Sequence, residues 1–273
     1  MTISGRTQLA AVIGTPIVHS LSPAILNAAF AASGLDWVYV AFDVEPARIA
    51  GALDGMRAFG VRGLSVTMPH KEAVARLVDR TSDEAGALGA VNCVVNDGGV
   101  LAGHNTDGPG FLDALRAEVG FDVADRRVAL LGAGGAARAI ALALGRAGAA
   151  DVAVVNRTAA KAEAAAALVG VAGRVGQQSD VAAAELVVNA TPLGMGDGAM
   201  PVPADLLHAG QVVADIVYHP SETPLLAAAR ERGATGMNGL SMLVHQAAHA
   251  FRLWTDLDPP VDVMVRAARR HFD

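Results

Sequence analysis

The stretch Val128-Ala129-Leu130-Leu131-Gly132-Ala133-Gly134-Gly135-Ala136-Ala137 decides how the rest of this 273-residue chain is read. Four apolar residues, enough for a buried strand, run straight into a glycine turn, and an alanine-rich stretch of helical character begins at once. Gly132 permits the tight turn, Gly134 lets the backbone approach a pyrophosphate, and Ala137 is small enough for helix and strand to pack closely. The helix start then presents unpaired N–H groups and the positive end of its dipole to phosphates. Strand, glycine turn and helix in that order predict a dinucleotide-binding unit.

The end of the next strand distinguishes two cofactors. An NAD site usually carries Asp or Glu about twenty residues past the glycines to hold the ribose 2′-hydroxyl, whereas an Arg there suits a 2′-phosphate. The apolar run 152–155 ends instead in Asn156-Arg157-Thr158, with no carboxylate. A guanidinium can stack on the adenine and pair with the phosphate, and Thr158 can add a hydroxyl hydrogen bond. These residues predict NADP. Asn156 and Thr158 also read as a cap for the following helix, a role compatible with the first.

Outward from this unit, Val-, Ile- and Leu-rich runs alternate with Ala-rich stretches, the pattern of a parallel-sheet α/β protein. N-terminal to it, strands are expected over residues 9–14, 37–43, 61–67, 91–96 and 100–104, and helices over 23–33, 48–59, 71–78 and 84–88. Further strands are expected over 128–131, 152–155, 186–189 and 212–216 and near 235. The accompanying helices fall at 110–119, 136–146, 159–168 and 240–254, with a last one reaching Arg270.

The length, with 52% hydrophobic and 18% charged residues, suits about two ordinary domains. A net charge of −6 without any run of Lys or Arg argues against a nucleic-acid partner. Cys93, the only cysteine, excludes an intramolecular disulfide and a cysteine-rich metal site, and reads as a buried thiol. There is no signal-like N-terminal stretch and no apolar segment of membrane-spanning length, so the expectation is a cytoplasmic protein without a membrane partner. Of the 21 basic residues only Lys71 and Lys161 are lysines. A lysine in such a chain draws attention because an amine can lose its proton and a guanidinium cannot.

Three polar clusters interrupt the N-terminal half where its strands end. They are Gly14-Thr15-Pro16-Ile17-Val18-His19-Ser20-Leu21-Ser22-Pro23, then Ser65-Val66-Thr67-Met68-Pro69-His70-Lys71, then Gly89-Ala90-Val91-Asn92 with Asn105-Thr106-Asp107. Ligands of open α/β sheets bind outside the carboxyl ends of the strands, so these clusters are expected to converge. Hydroxyls, an amide, an ammonium and a carboxylate suit a small polyhydroxylated acid. Taken with NTDGPGF (105–111), GAGGAARA (132–139), NRTAAKA (156–162), NATPLGM (189–195) and GLSMLVHQAAHAF (239–251), they make the chain resemble the shikimate dehydrogenase family over nearly its whole length.

The resemblance implies an enzyme interconverting 3-dehydroshikimate and shikimate with NADPH in aromatic amino acid biosynthesis. It implies an N-terminal α/β substrate domain (1–106 and 241–273) plus a Rossmann-type NADP-binding domain (107–240), with a cleft between them. The partner is then a small-molecule substrate, and the chain works as a monomer or homodimer. Ser20 and Ser22 are implied to bond the substrate carboxylate, Thr67, Asn92 and Gln246 to hold ring oxygens, and Tyr218 to approach from the cofactor side. Gly132, Ala133, Gly134, Gly135, Ala136, Asn156, Arg157, Thr158 and Lys161 are implied to hold NADP, with Ile216 and Gly239 near the nicotinamide. Lys71 and Asp107 are the pair assigned to catalysis and to the substrate, because oxidising a secondary alcohol requires removal of the hydroxyl proton as hydride leaves. Lys71 reads otherwise as a solvated helix start, a position unfavourable to a cation.

The remaining polar residues read more simply. Asp83 is either a cofactor contact or a helix-start residue. His19 and His70 read as structural or rim residues, and Met195 and Met242 as packing residues. His245 and His249, four apart with no third ligand evident, read as a packed or solvated helix face. Four positions depart from the commonest family form, namely Ser65 for Asn, Leu26 for His, Cys93 for Thr and Asp256 for Gly. Ser65 bears most on substrate choice. Two other readings stand beside the first: a paralogue acting on quinate or an aminoshikimate, including one that uses NAD, and a catalytically silent ligand sensor.

Overall fold

The computed structural model describes residues 3–271. The chain divides into two compact units, one made of the residues up to Thr106 and from Gln246 onward, the other of Asp107–His245. The first unit runs β1 (Gln8–Gly14), α1 (Ser22–Ala32), β2 (Trp37–Asp43), α2 (Ile49–Ala58), β3 (Gly63–Val66), α3 (Lys71–Ala75), β4 (Arg80–Thr81), α4 (Asp83–Leu88), β5 (Cys93–Asp97) and β6 (Val100–His104). The second runs α5 (Asp107–Val119), β7 (Arg127–Leu131), α6 (Gly135–Arg146), β8 (Asp151–Val155), α7 (Ala159–Val169), β9 (Gly173–Val175), β10 (Leu186–Asn189), β11 (Val212–Asp215), α8 (Pro224–Glu231) and β12 (Thr235–Met237). Helix α9 (Gly239–Thr255) starts in the second unit, and its residues from Gln246, with α10 (Val261–Arg269), belong to the first. The division therefore falls inside α9, past the expected 240/241 boundary.

The first unit is built on a six-stranded sheet of order β2-β1-β3-β5-β6-β4. Strand β1 pairs in parallel with β2 and β3, but β5 is antiparallel to both β3 and β6. The all-parallel expectation is thus corrected to a mixed sheet, because Gly98-Gly99 turns β5 directly back into β6 without a crossover helix. The pleat sorts the two faces. Ala11, Ile13, Leu64, Val66, Val94 and Leu101 turn toward Leu53 and Met56 of α2, Val74 of α3 and Ala85 of α4. On the opposite face Phe30 lies against Trp37 and Phe251, with ring centroids 5.2 and 5.6 Å apart, and Tyr39 lies 5.9 Å from Trp254. The Trp254 indole donates to Val94 O at 3.0 Å, fixing α9 across the sheet.

The second unit holds six parallel strands in the order β12-β11-β10-β7-β8-β9. Numbered within the unit and read from β9, this is the 3-2-1-4-5-6 arrangement of doubly wound sheets, whose order reverses between β7 and β10. Both faces are covered, as parallel sheets require. Val128, Leu130, Val152 and Val154 pack with Ile140 and Leu144 of α6 and Phe111 of α5, while Ala129, Leu131, Val187 and Val213 face Leu225 and Ala229 of α8.

Element bounds differ from expectation in small ways. Helix α3 stops at Ala75 instead of Val78, and the strand expected over 61–67 is trimmed to Gly63–Val66. Strands β4 and β9, of two and three residues, were too short to show a period.

Candidate functional site

The residues of the first unit expected to meet the substrate collect at one end of its sheet. Parallel strands β1 and β3 end there at Gly14 and Val66, and because β5 is antiparallel it starts there, just after Asn92, while β6 finishes there at His104. Backbone hydrogen bonds tie the loops together. Thr67 N donates to Ile13 O at 3.0 Å, Thr15 N to Met68 O at 3.2 Å, Val66 N to Asn92 O at 2.7 Å and Val91 N to Lys71 O at 2.9 Å. Ser20 Oγ accepts from Ser22 N at 3.3 Å, and buried Ser22 opens α1. Ser20, Ser22, Thr67, Lys71 and Asn92 thereby lie on neighbouring, mutually bonded loops.

Asn92 is buried, and its carboxamide is fixed by a residue from the end of β6. Thr106 N donates to its Oδ1 at 2.8 Å, and its Nδ2 donates to Thr106 Oγ1 at 3.0 Å. Lys71 is the half-buried first residue of α3, and Glu72 follows it where the helix dipole favours an anion. Gln246 lies half-buried on α9, and Asp107, buried, directly follows Thr106 as the first residue of α5 in the second unit.

The residues expected to hold the nucleotide gather at the carboxyl ends of β7, β8, β10 and β11. Gly132 takes φ +108°, and its N–H donates to Val155 O at 2.8 Å, joining the glycine turn to the strand end that precedes Asn156. A Cβ at Gly132 would stand 2.7 Å from Ala190 O, so only glycine fits between β7 and β10. Ala133 is buried, whereas Gly134 and Gly135 are exposed with open space around their Cα atoms at the start of α6, the geometry a pyrophosphate needs. Ala136 follows half-buried. Arg157, Thr158 and Lys161 are exposed at the start of α7, and no carboxylate stands among residues 156–158, a set that fits a 2′-phosphate.

Ile216 N donates to Asn189 O at 3.0 Å and Gly239 N to Val217 O at 3.1 Å, which brings the half-buried Ile216 and the start of α9 together. Tyr218 is half-buried, and burial pushes its phenol pKa up.

Several readings are refined or overturned. Thr158 occupies the N-cap position of α7, but its side chain accepts no capping hydrogen bond; Asn156 Nδ2 donates to Thr158 O at 3.0 Å instead, leaving the Thr158 hydroxyl for another partner. Met195 is not a packing residue, being 59% exposed, while Met242 is buried. His70 is buried with Nε2 2.7 Å from Val44 O, a structural role, and His19 is exposed. His245 Nδ1 lies 2.9 Å from Ser241 O, one helical turn back. Asp83 is the exposed first residue of α4, preceded by the Ser82 cap. Cys93 is fully buried, and burial pushes its thiol pKa up.

One set of residues received no role from the sequence. Buried Asn189, Asp215 and Thr223 form a hydrogen-bonded group that also holds Val217 N. The available signal was a polar residue closing each of two apolar strands, Val187-Val188-Asn189 and Val213-Ala214-Asp215.

Comparison with known proteins agrees with this architecture. Residues 12–94 match the model of the Shikimate dehydrogenase substrate binding domain, 115–191 that of Shikimate / quinate 5-dehydrogenase and 239–269 that of the Shikimate 5'-dehydrogenase C-terminal domain. Shikimate dehydrogenase (NADP(+)) of Moorella thermoacetica is 48% identical over 98% of this chain and 94% of its own. The crystal structure of shikimate 5-dehydrogenase from Thermus thermophilus in complex with NADP(H) and shikimate superposes with a TM-score of 0.91 at 42% identity, covering 96% of this chain and 99% of that one. Quinate dehydrogenase from Corynebacterium glutamicum in complex with NAD gives 0.89 at 36% identity, covering 96% and 98%. Similarity of this extent, on a sheet order and loop set already described, means that the chain belongs to the shikimate dehydrogenase family.

Proposed function

We propose that this chain catalyses the reversible, NADP(H)-dependent interconversion of 3-dehydroshikimate and shikimate, a step of aromatic amino acid biosynthesis. The observation that carries this reading is the presence on one chain of two complementary sites: a strand end lined by hydroxyls, an amide and an ammonium in the first unit, and a glycine turn followed by a carboxylate-free Asn156-Arg157-Thr158 in the second. The Moorella and Thermus relatives are shikimate dehydrogenases, the latter in complex with NADP(H) and shikimate.

The nicotinamide, when bound, accepts or supplies the hydride. In this reading the first unit is the substrate domain and the second the NADP domain. Ser20 and Ser22 hold the substrate carboxylate, and Thr67, Asn92 and Gln246 hold its ring oxygens, so that one carbon is presented for transfer. Lys71 and Asp107 are the acid–base groups that serve the hydroxyl proton, which leaves as the alcohol is oxidised and returns to the oxygen in the reverse direction. Arg157, with Asn156, Thr158 and Lys161, holds the 2′-phosphate, and residues Gly132 to Ala136 hold the pyrophosphate at the start of α6. Ile216 and Gly239 lie near the nicotinamide, and Tyr218 approaches the substrate from the cofactor side.

A second reading, quinate oxidation with NAD, draws on the Corynebacterium similarity and on Ser65, a short, half-buried side chain two residues before Thr67 on β3. Initial oxidation rates for shikimate and quinate, each with NADP and NAD, separate the two. Shikimate with NADP should dominate; a preference for quinate with NAD rejects the first reading, and the absence of turnover with every pair leaves an aminoshikimate paralogue or a ligand sensor. We further propose a cytoplasmic enzyme acting as a monomer or homodimer, tested by cell fractionation and light scattering. Among the described residues no helix is long and apolar enough to cross a membrane.

A further inference from the structure

Asp215 ends β11 and is 1% exposed. Three donors converge on its carboxylate: Asn189 Nδ2 at 2.9 Å and Val217 N at 3.1 Å on Oδ1, and Thr223 Oγ1 at 2.7 Å on Oδ2. All three are neutral groups. A buried acid is ordinarily matched by a cation, and among the described residues this one is held by dipoles alone. Burial pushes its pKa up, and the three hydrogen bonds oppose that rise. An isosteric amide keeps both donors to Oδ1 and a hydrogen bond to Thr223 in the reversed sense, so the site can be filled without its charge.

Its position suggests what the charge is for. Asp215 opens the segment Asp215-Ile216-Val217-Tyr218 and anchors Val217 N through its own side chain. Val217 O in turn accepts from Gly239 N, and Gly239 sits so close to the Ile216 carbonyl that a Cβ there would collide with it. On the other side, Asn189 bridges Asp215 to the turn after β10, its Oδ1 accepting from Thr191 N at 3.1 Å and Thr191 Oγ1 at 2.7 Å. The carboxylate is therefore fixed rigidly at the carboxyl edge of the parallel sheet, on the residue before Ile216 and bonded to Val217, whose carbonyl holds Gly239 N.

We propose that Asp215 is a fixed negative charge that biases the second unit toward NADP⁺, whose nicotinamide is cationic, over NADPH, whose ring is neutral. The inference rests on the functional reading above, which puts the nicotinamide at Ile216 and Gly239. The two nucleotides differ at that ring by one hydride and hence one unit of positive charge. A preorganised anion acting through a low-dielectric wall distinguishes them without touching either. In the direction of alcohol oxidation it stabilises the form that accepts hydride, and in the direction of reduction it favours the charge that develops as hydride departs.

Asp215→Asn tests this. Its Oδ1 keeps Val217 N and Asn189 Nδ2, and its Nδ2 donates to Thr223 Oγ1, a hydroxyl that already accepts from Leu226 N at 3.3 Å and has a second lone pair. Dissociation constants for NADP⁺ by calorimetry and for NADPH by nucleotide fluorescence are measured without substrate, together with the melting temperature. The expected result is an NADP⁺ constant raised on the order of tenfold, with NADPH changed less than about threefold. An unchanged ratio of the two constants overturns the proposal, whether both weaken or neither does. If that variant does not fold, Thr223→Val removes the donor to Oδ2, drives the carboxyl toward its neutral form and should move the ratio the same way; no movement is again a refutation. Should the parent protein bind neither nucleotide, the functional reading fails and this inference with it.

Discussion

In Gly132→Ala two penalties combine. The residue sits at φ +108°, where a side chain is strained, at a cost of about 1–3 kcal/mol. The new Cβ would also stand 2.7 Å from Ala190 O and 3.0 Å from Ala190 C. Ala190 has nowhere to retreat, because its N–H is bonded to Leu131 O at 2.8 Å and its neighbour Asn189 is in register with Leu131 on the paired strand. Prising β7 from β10 adds about 1–3 kcal/mol of overpacking. A net loss of about 3 kcal/mol should lower the melting transition of the unit by about 6–12 °C. Gly134→Ala is the matched control. That residue has φ −79° and ψ −173° with nothing within 4 Å of a Cβ, so alanine fits, and the poorer N-cap of α6 costs at most about 1 kcal/mol. Its methyl, however, stands where a pyrophosphate must approach, and NADP⁺ binding should weaken by about tenfold or more. Scanning calorimetry without ligand, followed by nucleotide titration of both variants, reads the two effects separately. A Gly132→Ala protein melting within about 2 °C of the parent, or a Gly134→Ala protein binding NADP⁺ as the parent does, would refute the reasoning.

Three further outcomes are expected. Lys71→Ala should cut turnover by about 10²–10⁴ while leaving the shikimate KM within about tenfold, and near-normal turnover in steady-state assays would remove Lys71 from proton transfer. Arg157→Ala should raise the KM for NADP far more than for NAD; equal effects on both cofactors would reject its 2′-phosphate role. The third concerns stability and pH. Because burial raises the Asp215 carboxyl pKa, the native state keeps that proton to higher pH than the unfolded chain, so ionisation costs stability as pH rises from the unfolded value through the folded one. Asp215→Asn should therefore melt no lower than the parent at pH 7.5, with its advantage shrinking as pH falls toward the unfolded carboxyl range. A variant markedly less stable at pH 7.5 and equal at low pH would reverse the sign and contradict the assignment.

The sequence revealed the second unit more fully than the first, for a physical reason. Val128 to Ala137 encodes strand, turn and helix within ten consecutive residues, and parallel strands joined by helices leave a period that survives in the sequence. The β5–β6 hairpin does not, since two short strands of three or so apolar residues each read alike in either direction, and only the glycines Gly98-Gly99 between them mark the reversal. Loop clusters such as Ser65 to Lys71 were legible because polar residues interrupt apolar ones where strands stop. What fixes Asn92 was not, because Thr106 meets it from fourteen residues away through pairing that only the sheet supplies. Asp215 with Asn189, twenty-six residues apart, escaped for the same reason: each looks like an ordinary polar strand end until the strands are placed side by side.

The split of the first unit across α9 has a consequence for how the protein is made. Phe30, Trp37 and Tyr39 find their covering rings in Phe251 and Trp254, more than two hundred residues later in the chain. During synthesis the second unit is complete at His245, before those rings have left the ribosome. The portion translated first is thus the last to close, and its aromatic sheet face stays open to chaperones and to neighbouring nascent chains throughout that interval.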